Sequence, residues 1–225
     1  LSARYTPGDR IILSGYSRGA FAVRSLSGLI DAIGLLKSNC VSDHTIDQAW
    51  QFYQNGATSD RAKYFQTNYC LAHIKIDAVG VWDTVRALGL RPPYLDAILP
   101  DPNAFHSHDL PACVHAGFHA MAHDEVRSAF QLVKWDTCYN PESTLKQVWF
   151  RGAHGDVGGI CLATKLCAPC PTFLLFGWWK IFKRLGFLVL RAGKPSFRVI
   201  QMSNPWGLGA GWGVSCFCEK NAKLT

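Results

Sequence analysis

Apolar positions change period several times along the 225 residues, and each change marks an element. Ile11-Ile12-Leu13 is a continuous apolar run, the pattern of a parallel strand buried on both faces. The run breaks at Ser14-Gly15, and a helical period follows. Ala22, Leu26, Leu29, Ile30 and Ile33 then share one face, with Gly34 as a stop signal. Ser42 is placed to cap a second helix, whose apolar face would be Ile46, Ala49, Trp50 and Tyr53. Asn55 to Asp60 is polar. Ala78 to Trp82 reads as another buried strand, with Asp83 at its carboxyl end. Leu90 to Pro111, interrupted by Pro92-Pro93, Pro100 and Pro102, reads as a loop that either frames a pocket mouth or crosses the surface. Val114 to Phe130 predicts a helix, at least from Phe118 onward. Gln147 to Arg151 predicts a further strand that runs into the glycine-rich turn Gly152 to Gly159. Strands alternating with helices in this way predict an α/β fold, a mostly parallel sheet with helices on its faces.

The turn after the first strand carries the densest chemical signal. Gly15-Tyr16-Ser17-Arg18-Gly19 fits G-x-S-x-G, the nucleophile elbow of α/β-hydrolases. A serine at the tip of a strand-to-helix turn sits in a strained conformation, and side chains two residues away on either side would collide. Glycines relieve that crowding and leave the hydroxyl presented. The backbone N–H of Arg18 then lies at a helix N-terminus, where an oxyanion is favoured. The Arg18 side chain suits either a substrate phosphate or a protein carboxylate. Asp83 and His154 each follow a strand of their own, and the order Ser, Asp, His is that of the α/β-hydrolase superfamily. Ser17 is therefore the candidate nucleophile, His154 the candidate base, and Asp83 the group that would orient it. His119 and His123, both on the predicted helix, compete for the base role, and Asp124 and Asp156 compete for the acid role. Asp124, Glu125 and Arg127 are expected to form a buried ion-pair network supporting the site, since a lone buried charge is costly.

Composition narrows the setting. Hydrophobic residues make up 48% and charged residues 17%, which places the chain among globular proteins. A formal charge of +7 favours anionic surfaces, for which phospholipid headgroups and nucleic acids both qualify; no nucleic-acid motif is present, so no nucleic-acid partner is expected. The nine cysteines are odd in number and irregularly spaced, as suits free thiols of an intracellular, cytoplasmic or membrane-associated protein better than a disulfide framework. Cys167-x-x-Cys170, joined by Cys161, Cys216 or Cys218, could hold zinc, but no second motif at zinc-finger distance accompanies it, so no metal or cofactor is expected. Thr172 to Leu190 is rich in Phe, Leu and Trp, yet Lys180, Lys183 and Arg184 would share one helical face. That pattern fits a helix lying on anionic lipid better than one crossing it, with an ordinary core helix as the alternative. Leu1 stands about ten residues before the elbow strand, so strands and a second oxyanion donor are expected upstream, and the fragment alone should be weak or inactive. Ile160 to Thr225 reads as a divergent or wrongly framed tail after a partial catalytic unit spanning residues 1–159.

The sequence resembles an α/β-hydrolase family that includes phospholipase effectors of the bacterial type VI secretion system and many fungal members. The resemblance runs through Pro7-Gly8-Asp9, Gly15 to Phe21, Gly28-Leu29-Ile30, Gly80-Val81-Trp82-Asp83-Thr84-Val85, Asp124-Glu125-x-Arg127 and Val148 to Gly159. It implies a serine hydrolase cleaving carboxylic esters, with lipid or phospholipid as substrate, acting through Ser17, Asp83 and His154. The family's N-terminal strand is absent here, and its ending after Gly159 does not match. A non-catalytic lipid- or protein-binding domain of the same fold is the alternative, and convergence of the three side chains separates the two.

Overall fold

The computed structural model of the chain describes residues 1–85, 108–158, 197–201 and 214–219. Its centre is a six-stranded sheet in the order β6-β5-β4-β1-β8-β7. β1 (Arg10–Tyr16), β4 (Ala78–Trp82), β5 (Ala116–Ala122) and β6 (Thr144–Phe150) run parallel. β8 (Val214–Glu219) pairs antiparallel with β1, and β7 (Phe197–Gln201) antiparallel with β8. Two strands therefore come from the stretch the sequence could not match. A small second sheet joins β2 (Leu35–Leu36) to β3 (Cys70–Leu71). The fold is α/β, as the sequence pattern predicts.

Helix α1 (Arg18–Ile33) leaves the tip of β1 and packs back on β1 and β4. It stops at Gly34, where φ is 95° and the N–H donates to the Ile30 carbonyl. Its buried stripe is rotated from the expected one: Ala20, Val23, Ser27 and Ile30 face inward, whereas Ala22 points to solvent and Leu26 and Leu29 are half-buried. The packed side of the sheet sets this stripe, and it admits Ser27 because that hydroxyl donates to the Arg24 carbonyl at 2.7 Å. Helix α2 (Asp43–Gln54) is capped by Ser42, which accepts from the Thr45 N–H. Ala49 and Tyr53 of α2 are buried, but Ile46 and Trp50 stay 48% and 38% exposed. Helix α3 (Asp60–Tyr69), missing from the sequence reading, starts at a Ser59 cap that accepts from Ala62 N–H.

The predicted helix at Val114 to Phe130 is the main error. Ala116 to Ala122 is strand β5, buried at every position. Gly117 packs closely under Leu110, since a Cβ there would lie 2.7 Å from Leu110 Cδ1. β1 also departs from expectation by alternating buried and half-buried residues, while Ala78 to Val81 of β4 are fully buried. The main core joins Ile11, Leu13, Val23 and Val79 to Leu110 and Trp135. Each fully buried aliphatic side chain of this kind stabilises by about 1.5–3 kcal/mol.

Candidate functional site

Ser17, Asp83 and His154 each sit just beyond the carboxyl end of a parallel strand, the edge where functional groups gather in such sheets. The register aligns these ends, pairing Tyr16 with Trp82 and Trp82 with Ala120. Ser17 has φ 58° and ψ −124°, a conformation that costs about 1–3 kcal/mol and persists only where the surroundings fix it. Here the Ser17 N–H donates to the Trp82 carbonyl at 2.9 Å, and its carbonyl accepts from Phe21 and Val85. Gly15 is required by contact: a Cβ would lie 2.5 Å from the Gly19 carbonyl oxygen. Arg18 begins α1, which places its N–H at the positive end of the helix.

Asp83 is also held at positive φ, 40°, by its N–H on the Ala120 carbonyl at 2.7 Å. One carboxylate oxygen, Oδ1, accepts from Ala122 N–H at 2.8 Å. The other, Oδ2, lies 2.6 Å from His154 Nδ1, and His154 Nε2 lies 2.7 Å from Ser17 Oγ. The three side chains form one unbroken hydrogen-bonded chain, and they are almost sealed from solvent: Ser17 and Asp83 are 1% exposed and His154 4%. In such a chain the carboxylate holds the proton on Nδ1 and leaves Nε2 as the acceptor facing the hydroxyl.

His154 is clamped on several sides. Tyr16, the residue between Gly15 and Ser17, lays its ring 4.7 Å from the imidazole and donates its hydroxyl to the His154 carbonyl at 3.0 Å. Burial, and next the nearby Asp83 charge, push the Tyr16 phenol up to about 12, so it remains a donor. The Phe130 ring also lies against the imidazole, its centroid 4.6 Å away, with the Arg127 guanidinium 4.1 Å over the Phe130 ring. Glu125 Oε2 accepts from the His154 backbone N–H at 3.1 Å. Neither Tyr16 nor Phe130 was singled out in the sequence. Tyr16 carried a signal, because its place in the elbow fixes it beside the serine.

The supporting residues are arranged differently from the expectation. Arg127 pairs with Glu125 through Nε and a terminal nitrogen at 2.8 and 2.7 Å, not with Asp124. That pair is half open, the Arg127 side chain being 57% exposed and Glu125 7%. Hydrogen bonds from Arg127 hold the Glu125 carboxyl down to about 2. Asp124 is 42% exposed and bonds His123, the Gly152 N–H and, more loosely, Arg151. No buried network of the expected kind joins Asp124, Glu125 and Arg127, because the β5–β6 pairing faces Asp124 toward Gly152 instead. Asp156 accepts from Ala153 N–H at 2.8 Å and so shapes the single helical turn His154–Val157.

The rivals fall away from the serine. His119 lies on β5, its ring bonded to Thr84 and Gln147, and His123 is 57% exposed beside Asp124. Asp124 and Asp156 make no bond to the His154 ring among those of the described residues. The Cys161, Cys167 and Cys170 candidates and the Thr172 to Leu190 segment lie outside the described residues, as does most of the Leu90 to Pro111 loop. Among the described residues no His, Cys, Asp and Glu cluster suits a metal, and no helix is long and apolar enough to cross a membrane.

The chain shares 26% identity over 179 residues with an uncharacterized protein of Saccharomyces cerevisiae, YEL023C. The match covers 75% of this chain but 23% of the yeast protein, so the chain spans under a quarter of that relative. No solved structure matches. The family model described as "T6SS, Phospholipase effector Tle1-like, catalytic domain" matches residues 1–168, which include all three side chains of the hydrogen-bonded set. The chain belongs to the Tle1-like family of phospholipase effector catalytic domains.

Proposed function

We propose that the chain is the catalytic part of a serine hydrolase that cleaves carboxylic esters of phospholipids. Ser17 is the nucleophile, His154 the proton carrier, and Asp83 the group that orients it. The observation that carries this reading is the continuous chain Ser17 Oγ, His154 and Asp83, with contacts of 2.7 and 2.6 Å. Membership of the Tle1-like family supports lipid as the substrate class.

Ser17 Oγ attacks the ester carbonyl carbon as its proton passes to His154 Nε2. The negative charge that develops on the carbonyl oxygen is met by the Arg18 N–H at the head of α1. Collapse of the tetrahedral adduct breaks the bond to the alcohol, which leaves with the proton from Nε2 and gives acyl-Ser17. Water then attacks the acyl carbon while Nε2 takes its proton, and returns that proton to Ser17 Oγ as the acid departs. Asp83 stays ionised throughout and stabilises the imidazolium. The unpaired thiols of Cys40, Cys70, Cys113 and Cys138 support a reducing, intracellular location.

The test is to incubate the chain with phosphatidylcholine and phosphatidylglycerol vesicles and to follow fatty acid and lysophospholipid by mass spectrometry. Release that disappears in Ser17→Ala is expected. Vesicle binding without release, equal in Ser17→Ala and wild type, would instead make this a lipid-binding module.

A further inference from the structure

The buried histidine of β5 is not used by the reaction as proposed, yet every polar atom of its ring is engaged. His119 is fully buried. Its Nε2 lies 3.1 Å from the Thr84 backbone nitrogen. That backbone group can only donate, so Nε2 must be the acceptor and the ring proton must sit on Nδ1. Nδ1 faces Gln147 Oε1 at 3.2 Å. The orientation of Gln147 is set independently by Trp135, which donates N–H to Oε1 at 2.9 Å and accepts from Nε2 at 2.8 Å. The directions are therefore fixed: Thr84 N–H donates to His119 Nε2, and His119 Nδ1–H and Trp135 N–H both donate to Gln147 Oε1.

Thr84 is the residue next to Asp83. At positive φ, Asp83 turns the chain out of the β4 ladder, and the following N–H loses the strand partner it would otherwise have. His119 supplies that partner from the neighbouring strand. We infer that His119 is a positioning residue: as the Nδ1–H tautomer it accepts from Thr84 N–H and so holds the turn that sets Asp83 against His154. The inference rests on the reading of Ser17, His154 and Asp83 as the reacting set.

A second set of bonds fixes the same turn from the other side. The Thr84 carbonyl accepts from Val133 N–H at 2.9 Å. Arg24, on the helix that begins at the elbow, donates to the Val133 and Lys134 carbonyls at 2.6 and 3.0 Å and lies over the Trp135 ring. The nucleophile's helix and the carboxylate's turn thus share one support, the strip from Val133 to Trp135. A protonated His119 would turn Nε2 into a donor facing a donor, and the turn would lose its hold. The surroundings oppose that state, since burial, and next the Arg24 charge, hold the imidazole down at about 4.

The experiment compares two variants and one unmodified observable. His119→Gln keeps an acceptor at the reach of Nε2, whereas His119→Phe fills the space without one. The readouts are the rate of Ser17 labelling by a fluorophosphonate and the far-downfield proton resonance of the hydrogen bond between His154 and Asp83. In wild type, nitrogen NMR of His119 is expected to show the Nδ1–H tautomer, neutral well below pH 6.5. His119→Phe should lower the labelling rate about 100-fold, the scale of a misplaced catalytic group, and weaken the downfield signal. His119→Gln should restore both to within a few-fold. Equal losses in the two variants would show that only the volume of the ring matters and would overturn the inference, as would an Nε2–H tautomer in wild type. If His119→Phe does not fold, the wild-type tautomer and the rate of His119→Gln decide between the same outcomes. If wild type shows no Ser17 labelling, the proposed reaction fails, while the tautomer and the downfield resonance still judge the positioning role.

Discussion

Asp83→Asn removes a charge while keeping the shape, and the structure says which way the new amide must face. Asp83 Oδ1 accepts from Ala122 N–H at 2.8 Å, so the Asn oxygen is needed on that side. The opposite orientation would set two donors against each other in a site 1% exposed, a penalty of about 1–3 kcal/mol. The Asn NH2 therefore faces His154 Nδ1, now 2.6 Å from Asp83 Oδ2, and can only donate to it. His154 must then carry its proton on Nε2, where it donates to Ser17 Oγ and can no longer accept. Both hydrogen bonds survive, so the melting temperature should shift by only a few degrees. The base is lost, so the rate should fall up to about 10⁴-fold, or about 5 kcal/mol of transition-state stabilisation. Ester hydrolysis and fluorophosphonate labelling, with thermal melts alongside, measure the two effects separately. Asp124→Asn is the control, and its half-exposed contacts with His123 and Gly152 predict near-normal turnover. A folded Asp83→Asn that keeps more than about a tenth of the rate would refute the tautomer reasoning.

Glu125 is depressed from 4.5 to about 2 by its Arg127 hydrogen bonds, so the stability it contributes is complete above pH 4.5 and is lost as pH falls toward 2. Acid melts of wild type should therefore decline more steeply through that window than those of Glu125→Gln, and parallel curves would contradict the pairing. Gly15→Ala drives a Cβ against the Gly19 carbonyl oxygen at 2.5 Å and should destabilise by about 1–3 kcal/mol or more in chemical denaturation, with labelling at Ser17 reduced. An unchanged denaturation midpoint would show that the elbow has room the structure denies it. Burial pushes the Cys70 thiol up to about 11 and the Cys113 thiol higher still, so both should react with iodoacetamide at neutral pH far more slowly in the native chain than after unfolding. Native rates equal to the unfolded ones would count against the packing around α1 and β3.

The parts of the site that were legible in the sequence are those encoded locally. Gly15 to Gly19, Asp83 after its apolar strand and His154 in its glycine-rich turn each carry their own punctuation, and the fold needs only to bring the strand ends level. β5 was misread because a strand buried on both faces shows no alternation, and Ala116, Ala120, Met121 and Ala122 have high helix propensity. Pairing with the neighbouring strands β4 and β6 along its length overrides that propensity. The same misreading put His119 on a helix and hid its reach to Thr84. Asp124, Glu125 and Arg127 were grouped by proximity, but that Glu125 and not Asp124 meets Arg127 depends on the register that brings Gly152 beside Asp124. The Ser59 cap of α3 was present in the text but fell in a stretch read only as polar. β8 pairs with β1, setting Val214 against Gly15, and β7 joins the sheet through β8, relations between distant positions that no local pattern records.

Fluorophosphonate labelling of the native chain, with the modified peptide identified by mass spectrometry, reads the activation of Ser17 directly. Attack of Oγ on phosphorus expels fluoride only where a base takes the hydroxyl proton. The hydrogen-bonded set predicts one adduct, on the peptide containing Ser17, lost in Ser17→Ala and strongly slowed in His154→Ala. An adduct that survives Ser17→Ala, or a folded wild-type chain that forms none at all, would contradict it.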